Sequence, residues 1–358
     1  MLQPPVTLPG DHGLNILALF SLFACWNTLR KRRSSRVRAI IFLIGIVCQL
    51  AGCAERAPVL RSTLPQAEDS GVELTDTVFF PQKDYQCGPA ALATLIVHAG
   101  KEISPDHLER KIFLPDRKGS LQVELVAASR GYDLIPYVID PSFTALLAEL
   151  RSGRPVLVLQ NLGLAAFSLW HYAVVIGYDT EKDTMILRSG TVRRQMVSAR
   201  RFLVSWRQSG SWAMVVLRPG EMPANPDQGR YLKAVAALEE VGRYDTALAG
   251  YQAALQRWPD NDTALLGLGN CYYGLGRLDA AEKTYHSLVN QYPGHAIGYN
   301  NLAHVLAEQG QYTQALAVLD KGLLLAEYNG GAGQMLQQAR DEIVTRQVQE
   351  QTVNRSDD

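Results

Sequence analysis

Gln82-Lys83-Asp84-Tyr85-Gln86-Cys87-Gly88-Pro89-Ala90-Ala91-Leu92 is the stretch on which the reading of this chain turns. Pro89 has no backbone donor and a preset φ, so it suits the first turn of a helix, and the apolar run Ala90 to Val97 carries that helix onward. The Cys87 thiol then sits beside the unsatisfied N–H groups at the positive end of the helix dipole. That position favours thiolate over thiol and marks Cys87 as a candidate nucleophile.

A cysteine nucleophile needs a base, usually an imidazole that the fold brings close. His171 opens His171-Tyr172-Ala173-Val174-Val175-Ile176-Gly177-Tyr178, a run rich in β-branched and aromatic residues that predicts a strand. A side chain at the start of that strand can reach a cleft. His98 and His107 fall in helical patterns near the cysteine, His286, His295 and His304 fall in a repeated region, and His12 precedes the apolar segment near the N-terminus.

Around these two residues the chain reads as α+β. Helical patterns occur at about 88 to 99, 104 to 112, 120 to 130 and 142 to 151, and strand-like runs follow at Val156 to Leu159, at His171, at Met185 to Leu187 and at Trp212 to Leu217. The loop Asn161 to Leu169 is placed to form a cleft wall. Pro219 to Pro226 reads as a linker. Beyond it Gly242, Gly276 and Gly310 recur at a spacing of 34 residues, as do Ala247, Ala281 and Ala315, while Tyr251 repeats as Tyr285 and Pro259 as Pro293. That period, with small residues where paired helices touch, matches three tetratricopeptide repeats over 228–328. One such unit cannot bury its own apolar face, so the Gln-, Arg- and Glu-rich stretch from Gly333 to Glu350 reads as a solvating cap. Tyr231, Tyr272, Tyr273, Tyr299, Asn300 and Asn301 either line a concave groove or pack between helices.

With 358 residues and zero net charge, the chain has room for two cores and no global bias toward nucleic acid. No His, Cys and Asp cluster has metal-ligand spacing and no Gly-rich phosphate loop is present, so no cofactor is expected.

The Gln-x4-Cys-Gly-Pro-Ala-Ala-Leu run, followed by Trp170-His171-Tyr172-Ala173-Val174-Val175-Ile176-Gly177-Tyr178-Asp179, resembles the double-glycine leader peptidases that process bacteriocin precursors, over about residues 79 to 218. These are papain-like cysteine peptidases. The resemblance implies a papain-like α+β domain followed by an all-α repeat solenoid, Cys87 as nucleophile, His171 as general base and Gln82 as a donor to the oxyanion, with Gln86 the rival for the last role. The family places an Asp after the histidine strand to orient the imidazole. Here Ser189 stands at that position, and Asp179 lies about eight residues, or roughly 26 Å, from His171 along an extended strand. A serine hydroxyl fixes a tautomer but does not stabilise imidazolium as a carboxylate does.

Near the N-terminus the basic run Arg30 to Arg38 precedes the apolar stretch Ala39 to Gln49 and then Leu50-Ala51-Gly52-Cys53, which resembles the lipobox of bacterial lipoproteins. By that resemblance the chain is cut before Cys53 and the Cys53 thiol is lipidated, and Ala54 at the next position implies sorting to the outer membrane, facing the periplasm. An ordinary membrane anchor is the competing reading. Leu14 to Trp26 forms a second apolar segment, read either as part of an over-extended gene start, with synthesis beginning near Val37, or as half of a two-part anchor. Of five cysteines, loss of Cys25 and Cys48 and acylation of Cys53 leave Cys87 and Cys271, too few for a disulfide framework.

The expected organisation is therefore a leader and signal segment at 1–53, a linker at 54–78, a peptidase domain at 79–218, a linker at 219–227, repeats at 228–328, and a capping helix and tail at 329–358. The expected function is an envelope-anchored cysteine peptidase whose repeats recruit a peptide or protein partner. The alternative is a catalytically impaired binding or assembly lipoprotein, and acyl transfer to an acceptor other than water would use the same residues.

Overall fold

The structure, a computed structural model, describes residues 58–64, 70–82, 85–117, 119–163, 167–325 and 330–356. Cys53 and the apolar segments before it lie outside the described residues. Among those described, no helix is long and apolar enough to cross a membrane.

A short helix α1 (Val59–Thr63) and strand β1 (Gly71–Glu73) precede the cysteine helix α2 (Cys87–His98). Then come α3 (Pro105–Ile112), a 3-10 turn at Pro115–Arg117, α4 (Gln122–Arg130), β2 (Ile135–Val138), α5 (Phe143–Arg151), β3 (Val156–Asn161), β4 (Trp170–Asp179), β5 (Thr184–Ser189), β6 (Val192–Ser198), α6 (Ala199–Arg207) and β7 (Ala213–Leu217). The strands form one antiparallel sheet in the order β2-β7-β3-β4-β5-β6, with β1 paired to the far end of β4. The sheet carries apolar side chains on both faces, and each face is covered. Leu157, Tyr172, Val174, Ile176 and Met214 pack with Leu92, Leu95 and Ile96 of α2, Leu108 of α3 and Leu125 of α4. Val158, Ala173, Val175, Leu187 and Val215 pack on the other side with Leu146 of α5 and Phe202 and Trp206 of α6. Helix α2 is buried from Gly88 to Ile96, which explains why its sequence is apolar all round instead of amphipathic.

The four expected helices are present with ends within two residues of those read from the sequence. Five elements went unread, two of them α1 and β1 in the stretch read as a linker, and three within 79–218. Strand β2 holds Pro136, which lowers any strand signal, but β2 is an edge strand and an edge tolerates a missing N–H. Strand β6 is the other edge, and its Arg193, Arg194 and Gln195 read as loop because an exposed edge is kept polar. Helix α6 was masked by its basic surface, although Ser198 caps it by accepting from the Arg201 N–H.

The segment 219–227 is fastened along its length. The buried Glu149 carboxylate pairs with Arg154 at 2.6 Å and accepts from the Ala224 N–H at 2.8 Å, the Asp227 N–H donates to the Tyr137 hydroxyl at 3.1 Å, and Tyr231 donates to the Glu221 carbonyl at 3.0 Å. Helices α7 (Gln228–Glu239), α8 (Tyr244–Arg257), α9 (Asp262–Gly274), α10 (Leu278–Gln291), α11 (Ala296–Glu308), α12 (Tyr312–Leu325) and α13 (Gly331–Ser356) follow as an all-helical repeat array. The residues that set the 34-residue period have physical duties. Gly242, Gly276 and Gly310 all turn at positive φ of 69° to 75° just past a helix end. Gly267 and Gly269 face the rings of Tyr251 and Tyr285, where an added Cβ would fall 2.2 and 2.4 Å from ring carbons. Tyr231 and Tyr299 are buried between helices, and their burial stabilises the array by about 2 kcal/mol each.

Candidate active site

Three elements bring the predicted residues together: the N-terminus of α2, the start of β4, and the end of β5. Cys87 opens α2 after Tyr85, which holds the left-handed conformation at φ 64°. A non-glycine residue in that region costs of order 1 kcal/mol and persists only where its surroundings enforce it. The same turn aims the first helical residue at β4. There the backbone of Tyr172, of Gly88 and of Cys87 itself faces the thiol and favours its ionised form.

His171 precedes Tyr172, and its Nε2 lies 2.9 Å from the Ser189 hydroxyl. Its Nδ1 has no hydrogen-bond partner among the described residues, so Ser189 engages the ring through one nitrogen only. Asp179 takes no part. It caps the far end of β4, accepting from the Lys182 N–H and ion-pairing with Lys182 at 2.8 Å, which corrects the expectation that it could orient the imidazole.

Gln82 is held by a pair of contacts. Its Oε1 accepts from the Gly190 N–H at 3.1 Å, its Nε2 donates to the Tyr172 carbonyl at 3.4 Å, and its own N–H donates to the Gly190 carbonyl at 3.0 Å. The amide therefore clamps the start of β4 to the β5–β6 turn, and one Nε2 hydrogen remains. Gln86 stands at the N-cap of α2 and its side chain caps nothing.

Electrostatics departs from the sequence expectation. Burial pushes the Cys87 thiol above its ordinary range, and the three backbone contacts offset this only in part. Burial also pushes the His171 imidazole below its ordinary range, with no carboxylate to oppose it. Burial thus favours the uncharged form of each group, thiol and neutral imidazole. Cys271, by contrast, is wholly buried in α9 and its thiol is pushed up to about 12, which makes it core filling.

The thiol opens into a cleft of about 550 Å³ lined by Ser120, Gln122, Leu159, Trp170 and Tyr172. Trp170 leaves the loop that was expected as a wall. Asn161 closes that loop by accepting from the Gly163 and Leu169 N–H groups. Ser120 was missed by sequence reasoning, and its hydroxyl is buried without a hydrogen-bond partner. Gly88 leaves it room, since an added Cβ there would come within 2.8 Å of the Ser120 hydroxyl oxygen. A Gly88→Ala chain is accordingly expected to lose about 1–3 kcal/mol of stability, read as a lower urea midpoint.

Among the described residues no group of three or more His, Cys, Asp or Glu could hold a metal ion.

Comparison with known proteins agrees with this architecture. Residues 74–214 match the Peptidase_C39 like family, and residues 238–300 and 272–332 match tetratricopeptide repeat families. Superkiller protein 3 of Saccharomyces cerevisiae is 29% identical over 87 residues, 24% of this chain and only 6% of that protein's length. Among solved structures, a protein of Bacillus anthracis described as C39-peptidase-like is 19% identical, covering 42% of this chain and 98% of that one with a TM-score of 0.36. The Yersinia enterocolitica type III secretion translocator chaperone SycD is 16% identical, covering 34% and 85% with a TM-score of 0.32. The chain thus carries a C39-peptidase-like α+β domain followed by tetratricopeptide repeats, a type of array that binds other proteins.

Proposed function

We propose that this chain is an envelope-anchored cysteine peptidase that cleaves a peptide bond by Cys–His acyl transfer, with the repeats engaging a peptide or protein partner. One observation carries the reading. The thiol at the head of α2 faces the backbone of Tyr172, the residue that follows His171 on β4, and the His171 imidazole is engaged by Ser189 through Nε2.

In this mechanism Cys87 Sγ attacks the carbonyl carbon of the scissile bond and His171 Nδ1 takes the thiol proton. The oxyanion is met by the Cys87 N–H and the remaining Gln82 Nε2 hydrogen, a donor of the kind whose loss costs about 3 kcal/mol of barrier. The imidazolium returns the proton to the leaving amine, and water then hydrolyses the thioester with His171 again as base. Lipidation at Cys53 and an outer-membrane location facing the periplasm belong to this proposal and rest on the Leu50-Ala51-Gly52-Cys53 motif.

The test is alkylation of the detergent-solubilised full chain by a peptidyl electrophile. Labelling at Cys87 that holds its rate down to about pH 6.5 supports the peptidase, because a lowered imidazole pKa keeps the base neutral to lower pH. Labelling that only follows direct thiol ionisation, above its ordinary range, would sink it. The impaired-enzyme alternative rests on Ser189, a hydroxyl where a carboxylate would stabilise imidazolium. A Ser189→Asp chain separates the two readings. Turnover that rises about tenfold or more indicates an enzyme working below its fold's capacity, while continued inactivity favours a binding protein.

A further inference from the structure

The Cys87 cleft does not end at the peptidase domain. Gln122 at the head of α4 and Ser209 after α6 line it, and the same two residues line a second cavity of about 560 Å³ at the junction with the repeats. The far wall of that cavity comes from α7, the first repeat helix, through Arg230, Lys233, Ala234 and Ala237. Its floor is apolar, made by Val126, Pro136, Val138, Ile139 and Trp212. Trp212 of that floor also stands edge-on at 6.0 Å to Tyr172, which lines the Cys87 cleft.

The charge in this groove is of one sign with a single rim exception. Arg130 lines it with a buried Nε that has no hydrogen-bond partner, and Lys233 forms no ion pair among the described residues. Arg230 is partly engaged by Asp140 at 3.2 Å across the exposed rim. With Arg130, Arg230 and Lys233 in its lining and no carboxylate among them, the groove favours an anionic occupant over a cationic one. Apolar floor and cationic wall together call for a segment with apolar side chains on one side and carboxylates on the other.

We propose that the first repeat helix completes a substrate subsite, and that an extended, apolar and acidic peptide segment runs from Cys87 past Gln122 and Ser209 into the groove between β2, α4 and α7. The inference rests on the peptidase reading for the identity of its occupant as substrate. It assigns the repeats a place in recognition beside the scissile bond, distinct from any partner on their concave face.

The experiment uses two fluorescent peptides of about ten residues, about 33 Å when extended, built from Leu, Ala and either Glu or Lys. Anisotropy with the full-length Cys87→Ala chain should show binding of the Glu peptide and not of the Lys peptide, weakened about tenfold by Lys233→Glu or Arg130→Gln and weakened further by salt. With native Cys87, a Glu peptide bearing an activated disulfide at one terminus should be captured faster than the same reagent on the Lys peptide. Lys233→Glu should remove that preference. Lys233 is exposed, so its variant keeps the fold, checked by an unchanged unfolding midpoint. Equal binding of the two peptides, or a preference untouched by Lys233→Glu, overturns the subsite. If binding and capture behave as expected while no peptide is hydrolysed, the groove stands and the peptidase reading falls. If Cys87 shows His171-dependent reactivity but does not discriminate Glu from Lys peptides, the peptidase stands and the groove falls.

Discussion

A His171→Ala chain is expected to react at Cys87 with a peptidyl electrophile about a hundredfold or more slowly than the unchanged protein near neutral pH. The size follows from the electrostatics of the site. Burial holds the Cys87 thiol above its usual range, so little thiolate exists at neutrality and nearly all attack depends on proton removal by a neighbour. His171 is well suited to that task because burial also keeps it neutral. The pH profile should carry the same information. The native rate rises through the imidazole pKa, below the ordinary 6.5, and then stays level. Without the imidazole that limb disappears and the rate climbs only in the alkaline range. A pH profile unchanged by the substitution would show that the imidazole does not act on the thiol.

The second large effect concerns a residue that does no chemistry. Arg188 is buried next to Ser189, where its guanidinium donates to the carbonyls of Thr75, Thr77 and Arg193. Those bonds tie the segment leading to Gln82 onto β5. An Arg188→Leu chain relieves the burial of a charge, which already lowers the Arg188 pKa and would alone be stabilising. Against that, it strands three backbone acceptors, each worth about 1–3 kcal/mol when left unsatisfied. The second effect wins, and a net loss of about 3 kcal/mol is expected in urea unfolding. Gln82 should lose its register with Gly190 as well, so Cys87 reactivity should fall with stability.

Much of this was legible from residue order because the cues were local. Pro89 after Cys87 announced a helix start, and the 34-residue recurrence of Gly242, Gly276 and Gly310 announced helix pairs. Ser189 was offered as a partner of His171 only by the family resemblance, at the position where the family has an Asp, beside Asp179, and the fold puts its hydroxyl 2.9 Å from the imidazole Nε2. Ser120 was not legible, since its place depends on how the loop before α4 folds over Gly88. The neutral resting state of the pair was not legible either. The helix dipole can be read from a sequence, but burial of the thiol is a sum over the whole domain. Likewise the Pro219 to Pro226 stretch has linker composition, and only the fold shows Glu149 and Tyr137 holding it.

That anchoring has a consequence for how the molecule comes apart. One apolar cluster runs without interruption from Leu60 through the sheet to Tyr231, Tyr251 and Cys271, and a second begins at Ala281 and extends to Ile343. The two clusters meet where α9 packs on α10, with Gly269 against the Tyr285 ring and the Tyr285 hydroxyl donating to Asn270 at 2.6 Å, so no boundary of cooperative unfolding is expected at the prolines. Native-state hydrogen exchange should show α7 and α8 opening together with the sheet, and protection in α7 that is lost before the sheet opens would show the prolines to be the boundary after all. A fragment cut at residue 218 would uncover Tyr137 and its neighbours and aggregate, whereas one cut after α9 would keep the core of the C39-peptidase-like domain covered.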